Sequence, residues 1–344
     1  MQEAIRQIDA EIIVVDNNSK DSSCDMVKAQ FPNVTLIENK ENLGFSKGNN
    51  IGVKHAKGEY LCILNPDTVV AEDTFIKILN FAQTKTNLGI VGCKLINGVG
   101  EYLPESKRNI PYVKAALLKL VGNSEAYYAN HLEENQTGKV DVFVGAFMLI
   151  KRDVYIKMNG FDEDYFMYGE DIDLSYKVLK AGFNNYYYAD TTIIHYKGES
   201  TLRDKNYAKR FYGAMQIFYK KHFRKNIVFD VLVWLGVKVV YALRVQPVLK
   251  EKHIERYVLL SDKMNTQMHA ALTKNIVLET HLKNIKPNDE VVLDISFLGY
   301  KKAIAIIERL KNQTTAVTFK ILPQQSNFIL GSDNAISRGE VIKW

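Results

Sequence analysis

The chain has 344 residues, of which 47% are hydrophobic and 24% charged, with 20 Gly, 7 Pro and 3 Cys. These proportions exclude a collagenous, a disordered or a disulfide-built chain, and the length suggests two compact units. The formal net charge of +6 is too small an excess to indicate a nucleic-acid partner without a local basic cluster. We therefore expect no nucleic acid, and anionic membrane or phosphate-bearing partners stay open.

The cysteines and the N-terminus indicate the compartment. Cys24, Cys62 and Cys93 are odd in number and widely spaced, which favours free thiols in a reducing environment over disulfides or a metal site. Residues 1–10 lack the apolar core that a signal peptide requires. The sequence therefore predicts a cytoplasmic protein.

The first half alternates β-branched runs with helical stretches, which predicts an α/β fold with a mainly parallel sheet flanked by helices. Strands are expected at residues 11–15, 34–37 and 59–64, and helices at 22–30, 47–56, 72–84, 152–158 and after Asp171. Ligands of open α/β sheets bind beyond the carboxyl ends of the strands. The polar turns at 16–19, 39–42 and 65–68 should therefore converge in one crevice.

An apolar run at residues 227–243 follows, in a stretch rich in Lys and Arg. It is short for a membrane span, and burying its Asp230 or Lys238 in hydrocarbon would cost several kcal/mol, on the order of 3 kcal/mol each. We predict an amphipathic helical linker over 226–252 that lies on an anionic membrane surface. A buried helix joining two domains is the alternative.

Residues 253–344 then predict a small α/β accessory domain after a first domain at 1–225. Its strands are expected at 257–260, 291–295, 316–322 and 328–330, with a helix at 301–311. No Gly-x-Gly-x-x-Gly motif follows its first strand, so nothing in this domain identifies a dinucleotide site. The sequence gives it no role.

The most specific candidate for a metal-binding site is Asn65-Pro66-Asp67, which directly follows a hydrophobic strand. Carboxylate and amide oxygens are the ligands that Mg²⁺ or Mn²⁺ prefers, and such a metal can hold a diphosphate leaving group. Taken alone, Asn-Pro-Asp is also a common turn.

Several further motifs accompany this turn at regular positions. They are VDNNSKDS at 15–22, NLGFSKGNN at 42–50, LNPDT at 64–68, GAFM at 145–148, GFDE at 160–163, GEDIDL at 169–174 and HYKGES at 195–200. Together, over about residues 10–222, the sequence closely resembles the inverting glycosyltransferases of family two, which have the GT-A fold. Its nearest likeness is to the rhamnosyltransferase-like members of bacterial polysaccharide assembly.

The resemblance implies a role for each matching residue. It places the donor's nucleotide against Asp16, Asn42, Gly44, Gly48 and Asn65. It implies that Asp67 and His195 hold Mg²⁺ or Mn²⁺, with Asn65 standing where many members have a first Asp. Asp171 matches the general base, with Glu170 and Asp173 as fallbacks. The plain alternatives are turn geometry for the two glycines and helix capping for the three acids.

A second group of residues matches the acceptor-facing part of the family, namely residues 145–147 and 161–168. Tyr165, Phe166 and Tyr168 could stack on sugar rings or belong to the core. The run Tyr186-Tyr187-Tyr188 predicts a strand in the core.

The leading hypothesis is an inverting glycosyltransferase that moves a sugar, rhamnose being one candidate, from a nucleotide-diphosphate sugar to a polysaccharide or lipid-linked glycan acceptor. The resemblance and the basic linker place it in the cytoplasm, peripherally at the inner face of the cell membrane. Family members usually begin with an apolar strand upstream of the turn at Asp16, and that strand is not in this sequence. This absence and Asn65 favour a second hypothesis, a catalytically impaired module that binds nucleotide or glycan or scaffolds an assembly. A nucleotidyltransferase would need a Gly-rich phosphate loop near the N-terminus, which we do not find.

Overall fold

The computed structural model describes residues 1–112, 115, 118, 123–197, 205–223, 252–313, 316–334 and 339–344. The strands before residue 197 are β1 Ile13–Asp16, β2 Thr35–Glu38, β3 Tyr60–Leu64, β4 Thr68–Val69, β5 Leu88–Ile96, β6 Gly138–Lys139, β7 Phe147–Lys151 and β8 Asn184–His195. Those after residue 252 are β9 Arg256–Leu260, β10 Ile276–Glu279, β11 Asp289–Asp294, β12 Thr318–Leu322, β13 Phe328–Gly331 and β14 Glu340–Lys343.

The helices alternate with these strands. They are α1 Gln2–Ile5, α2 Ser23–Gln30, α3 Gly44–His55, α4 Thr74–Gln83, α5 Arg152–Lys157, α6 Glu170–Lys180, α7 Lys205–His222, α8 Thr266–Ala271, α9 Ile295–Leu298 and α10 Tyr300–Gln313. Each predicted strand and helix of the first half is present within about three residues of its expected bounds. The α/β class is confirmed.

Strand β1 pairs in parallel with β2, and the two form a sheet of their own. Helix α3 packs over β1 so closely that a Cβ added at Gly52 would lie 3.0 Å from a methyl of Val15. This packing carries the chain across β1 towards β3.

The larger sheet of the first half has the order β3-β7-β5-β8-β4, with β6 beside β8. Only β5 and β8 run parallel, whereas the other four pairings are antiparallel. The prediction of a mainly parallel sheet is therefore wrong for this sheet, which is mixed. Strand β7 lies between β3 and β5 and runs antiparallel to both of them.

The second half forms a six-stranded sheet in the order β10-β9-β11-β12-β13-β14. Its first three pairings are parallel and its last two antiparallel. One hydrophobic cluster contains residues of both halves: Ala71, Ile96 and Ile194 pack with Ile304 and Ile307 of α10. The accessory part of the chain thus rests directly behind strands β4 and β8.

A carboxylate of the first half completes this contact. The two Oε atoms of Glu72 accept from the backbone N–H groups of Tyr300 and Lys301, the latter at 2.8 Å, at the N-terminus of α10. The domain boundaries at 225 and 252 stay a prediction. The predicted amphipathic run at 227–243 lies outside the described residues. None of the helices in the described ranges is both long and apolar enough to cross a bilayer.

Candidate functional site

Polar loops at the ends of β1 and β2 are tied to the start of α3. Asn17 donates from Nδ2 to the carbonyl oxygen of Gly44 at 2.9 Å and accepts at Oδ1 from Asn39 at 2.9 Å. Beside it, Asp16 Oδ2 accepts from the backbone N–H of Ser19 at 3.0 Å. Desolvation raises the pKa of Asp16, but the Ser19 hydrogen bonds outweigh it and hold the pKa below its ordinary value. Asp16 is therefore an anionic acceptor held at the end of β1.

The two predicted phosphate-site glycines both have packing reasons. Gly44 has φ +80°, and a Cβ there would lie 2.3 Å from the carbonyl oxygen of Phe166. Its N–H donates to Asn42 Oδ1 at 3.0 Å, which fixes the turn into α3. A Cβ at Gly48 would lie 3.0 Å from Asn17 Nδ2. Turn geometry and close approach therefore account for both glycines, and their contact with a nucleotide stays a prediction.

Asp67 and His195 are brought together by the antiparallel pairing of β4 and β8, in which Thr68 lies opposite His195. The backbone N–H of Tyr196 donates to the carbonyl oxygen of Asp67 at 2.9 Å. The side-chain atoms His195 Nε2 and Asp67 Oδ1 lie 3.4 Å apart. Both atoms are buried and neither makes a hydrogen bond with the described residues. A buried carboxylate and imidazole that lack hydrogen-bond partners are groups of the kind that bind a cation.

These two side chains fit a divalent cation as part of a larger ligand set. Carboxylate oxygen suits Mg²⁺ and Mn²⁺, and a neutral imidazole suits Mn²⁺. Among the described residues no group of three His, Cys, Asp or Glu side chains could hold a metal ion. The remaining ligands would have to come from water and from the phosphate oxygens of a substrate.

An ion pair that the sequence did not indicate lies beside His195. Lys197, at φ 53°, pairs with Glu105 of the turn at residues 104–106. Burial raises the pKa of Glu105, but the Lys197 charge, with a smaller contribution from His195, lowers it below its ordinary value. Glu105 and Lys197 are far apart in the sequence, so no local pattern could have found this pair.

Glu170 and Asp171 open helix α6, after Gly169 at φ +84°. Asp171 Oδ2 accepts from Arg108 Nη2 at 2.7 Å and from the N–H of Gly145 at 3.2 Å. Its Oδ1 accepts from the N–H of Ile172 at 2.8 Å. The sequence predicted Asp171 but did not indicate Arg108.

Glu170 is in a different environment from its neighbour. Its Oε2 is buried and has no hydrogen-bond partner among the described residues. Burial, and next the negative charge of Asp171, raise the pKa of Glu170 to about 8. The two adjacent acids are thus distinguished: Asp171 is surrounded by donors, and Glu170 is held as a neutral acid near pH 7.

One short segment connects the two halves of the site. Gly145 donates its N–H to Asp171, and the next residue, Ala146, accepts at its carbonyl oxygen from the N–H of Asn65 at 3.1 Å. A Cβ at Gly145 would lie 3.1 Å from the ring of Phe45. The turn containing Asp67, the start of α6 and the start of α3 therefore surround the same two residues.

The aromatic residues divide between core and surface. Tyr165 and Tyr187 are almost fully buried, at 1% and 0% exposure, so both belong to the core. Phe166 is 41% exposed, and the guanidinium of Arg210 lies 5.4 Å from its ring centroid. Phe166 is thus the most exposed of the three candidate aromatics, Tyr168 is half-buried, and stacking of either ring on a sugar stays a prediction.

Comparison with known proteins gives two family matches. The model of Glycosyl transferase family 2 matches residues 2–158. The model described as the N-terminal domain of galactosyltransferase matches residues 134–199. The two matches together span the strands and loops that carry every predicted site residue.

Individual relatives extend the same likeness. The chain is 26% identical over 211 residues to N-acetylglucosaminyl-diphospho-decaprenol L-rhamnosyltransferase of Mycobacterium tuberculosis, covering 56% of this chain and 68% of the relative. It is 28% identical over 161 residues to rhamnosyltransferase WbbL of Escherichia coli, covering 44% and 61%. The structure of the mannosyltransferase PcManGT from Pyrobaculum calidifontis, in complex with GDP-Man and Mn²⁺, superposes with a TM-score of 0.42 at 18% identity, covering 68% of this chain and 61% of that one.

Proposed function

We propose that the protein is an inverting glycosyltransferase, because residues 2–158 match the model of Glycosyl transferase family 2. Its donor is a nucleotide-diphosphate sugar and its acceptor a polysaccharide or lipid-linked glycan. Two of the relatives are named rhamnosyltransferases, which favours rhamnose as the sugar, and one of those names carries a lipid diphosphate. The observation that carries the proposal is the Gly145-Ala146 segment, because it connects the Asp67 turn to Asp171.

The donor half of the site binds and orients the leaving group. Asp67 and His195 would hold Mg²⁺ or Mn²⁺, and such a cation when bound offsets the negative charge that develops on the departing diphosphate. Asp16 and Asn42 lie at the ends of β1 and β2, where they would contact the nucleoside. Asn65, which stands beside Asp67, would contribute an amide and no charge.

The acceptor half supplies the base. A sugar hydroxyl is a poor nucleophile, so a carboxylate must take its proton as it attacks the anomeric carbon. In the proposed step the hydroxyl oxygen forms a bond to that carbon while the bond to the diphosphate oxygen breaks. The electron pair leaves with the diphosphate, and the proton passes to Asp171. Attack from the face opposite the leaving group inverts the configuration in a single displacement.

Asp171 is a better candidate for the base than Glu170. A base must be ionised before it can accept a proton, and burial keeps Glu170 protonated near pH 7. Asp171 is held by Arg108 and by two backbone N–H groups.

Exposed Phe166 would lie against the apolar face of a sugar ring.

The membrane part of the proposal depends on the predicted linker at 226–252. A lipid-linked acceptor is presented at a membrane surface, and a basic amphipathic segment would keep the enzyme there. In the described residues the end of α7, with Lys220 and Lys221, leads directly into this segment. We therefore propose a peripheral position at the cytoplasmic face of the membrane.

One observation favours the alternative, a catalytically impaired module that binds nucleotide or glycan or scaffolds an assembly. Asn65 stands where many family members have a carboxylate, so that among the described residues Asp67 and His195 are the candidate metal ligands that lie near each other. A module of this kind would bind a nucleotide without turning over a sugar.

A transfer assay separates the two functions. Wild-type protein with Mn²⁺ and a panel of nucleotide sugars, including a nucleoside diphosphate-rhamnose, should release nucleoside diphosphate, and NMR of the product should show an inverted anomeric centre. Asp171→Asn should lower kcat at least about 100-fold, because the base is lost while donor binding is kept. Asp153→Asn, at an exposed position in α5, is the matched control and should retain full activity.

Absence of turnover with every donor, together with measurable nucleotide binding, would establish the impaired module. Wild-type turnover by Asp171→Asn would show that another residue is the base.

A further inference from the structure

A buried cation lies against the proposed base. Arg108 is 7% exposed, and its Nη2 donates both to Asp171 Oδ2, at 2.7 Å, and to the carbonyl oxygen of Phe143. Its Nη1 donates to the hydroxyl of Tyr127 at 3.4 Å. Burial opposes the charge on Arg108, yet Asp171 raises the pKa of the guanidinium above its ordinary value. The pair is therefore an ion pair shielded from water.

The backbone of Arg108 is fixed independently of this ion pair. Its N–H donates to the carbonyl oxygen of Val142 and its carbonyl oxygen accepts from the N–H of Val142, each at 2.9 Å. The guanidinium therefore approaches Asp171 from a rigid strand-like pairing. A side chain held at both ends is suited to fixing the orientation of its partner.

The two oxygens of Asp171 are not equivalent. Oδ2 accepts from Arg108 and from Gly145, which uses both of its in-plane lone pairs. Within the described part of the chain, Oδ1 accepts from the N–H of Ile172 alone, which leaves one of its lone pairs unused there. If Arg108 were absent, Oδ2 would lose its stronger donor, and two backbone N–H groups would be left to orient the carboxylate.

We propose that Arg108 is a positioning residue for sugar transfer: it acts through Asp171, fixing the carboxylate so that the free lone pair of Oδ1 receives the proton of the acceptor hydroxyl. This inference rests on the proposed function. It deepens that function by naming the residue that prepares the base and the oxygen that takes the proton.

Among the residues that the structure describes, the other groups around the pair do not supply a second cation. Glu170, on the same helix, is held neutral near pH 7, and Tyr127, on the facing loop, contributes a hydroxyl. Replacing Arg108 with Gln would therefore leave a buried carboxylate without its cation, which disfavours the ionised form. Lys would keep the charge, but a single ammonium cannot reproduce the planar fork of the guanidinium.

The test uses a set of variants of the full chain: Arg108→Gln, Arg108→Lys, Asp171→Asn and the double variant Arg108→Gln/Asp171→Asn. Lys107→Met is the matched control, because Lys107 is also buried and donates to the carbonyl oxygens of Ala129 and Leu132, away from Asp171. The assay measures kcat, donor KM and the pH profile of kcat/KM with the nucleotide sugar that wild-type protein turns over fastest. Thermal unfolding checks that each variant is folded.

Arg108→Gln should lower kcat about 100-fold, change the donor KM less than threefold, and move the acidic limb of the pH profile to higher pH. Arg108→Lys should have a kcat about tenfold higher than that of Arg108→Gln, and the acidic limb of its pH profile should stay near the wild-type position. Lys107→Met should keep kcat within twofold. Because Arg108 acts through Asp171, the double variant should be no slower than Asp171→Asn alone.

Two results would overturn the inference while leaving the proposed function intact. One is an active wild type whose kcat survives Arg108→Gln. The other is a double variant that is slower than Asp171→Asn by the same factor that Arg108→Gln slows the wild type. A wild type with no turnover on any donor would remove both proposals together. If Arg108→Gln does not fold, the same cycle with Arg108→Lys decides, since a structural role predicts additive losses.

Discussion

The environment of Glu170 leads to a quantitative prediction about stability. Its side chain is buried, and burial followed by the charge of Asp171 raises its pKa from 4.5 to about 8. In the unfolded chain both effects vanish and the acid ionises near its ordinary pKa. Between these two values the folded protein therefore holds one more proton than the unfolded protein.

The sign and size follow from proton linkage. A raised folded-state pKa gives a stabilising contribution that is fully present below the unfolded pKa and is lost as the pH rises through the folded pKa. Each pKa unit corresponds to about 1.4 kcal/mol. Through Glu170 alone, the free energy of unfolding should therefore fall by about 3 kcal/mol between about pH 5 and pH 8.

The assay is urea unfolding of wild type and Glu170→Gln at several pH values across this range. Gln is uncharged and close in shape to the protonated acid, so the difference between the two proteins isolates the proton of Glu170. The stability of the variant relative to wild type should rise by about 3 kcal/mol from pH 5 to pH 8. Glu125→Gln, at an exposed position, is the control and should shift the curve by a constant amount.

Parallel curves for wild type and Glu170→Gln would refute the reasoning, because they would mean that Glu170 is ionised in the folded protein. The same variant also tests the proposed base. A protonated acid accepts no proton, so Glu170→Gln should keep kcat within about threefold of wild type. If Glu170→Gln abolished transfer and Asp171→Asn did not, the base would be Glu170.

Two further predictions concern the metal ligands and the contact between the two halves. Asp67→Asn and His195→Gln should each raise, by about tenfold, the Mn²⁺ concentration for half-maximal turnover. Each should also raise by about tenfold the Kd for Mn²⁺ measured by calorimetry with nucleoside diphosphate. His131→Gln is the control, and an unchanged Kd in the two variants would contradict the assignment of Asp67 and His195 as metal ligands. Glu72→Ala should lower the free energy of unfolding by about 2 kcal/mol, because two backbone donors of α10 lose a charged acceptor. Glu72→Gln should lose less in the same urea titration, and a loss below about 0.5 kcal/mol for Ala would contradict the contact.

The parts of the fold that could be predicted are those with local causes. Strands β1, β2 and β3 are short runs of β-branched or other hydrophobic residues that end in polar turns, and both signals lie within ten residues of one another. For the same reason the sequence identified Asp16, Asp67 and Asp171, since each sits in a local motif at the end of a strand or the start of a helix. Strand direction alone predicted that the turns at 16–19, 39–42 and 65–68 converge, whereas Asp171 was identified through the family resemblance.

Strands β5 and β7 were not predicted, for reasons that the packing makes clear. Strand β5 is buried throughout, so it lacks the alternation that marks a half-buried strand. Its Gly92 weakens the strand signal, yet a Cβ there would lie 2.2 Å from the ring of Phe143. The residue that lowers the strand propensity is thus one that the three-dimensional contact requires.

Buried charges mark where sequence reasoning fails in this protein. Arg108 and Asp171 are 63 residues apart, and Lys320 is fully buried in β12 beside Glu290 and Glu340. A sequence pattern assigns a charged residue to the surface, because burial of a lone charge is too costly. That cost is offset only by a partner that the fold delivers from elsewhere in the chain. For Arg108 this partner is Asp171, the proposed base. The ion pair with Asp171 could not be predicted from the sequence, and the same ion pair would give Arg108 its role in sugar transfer.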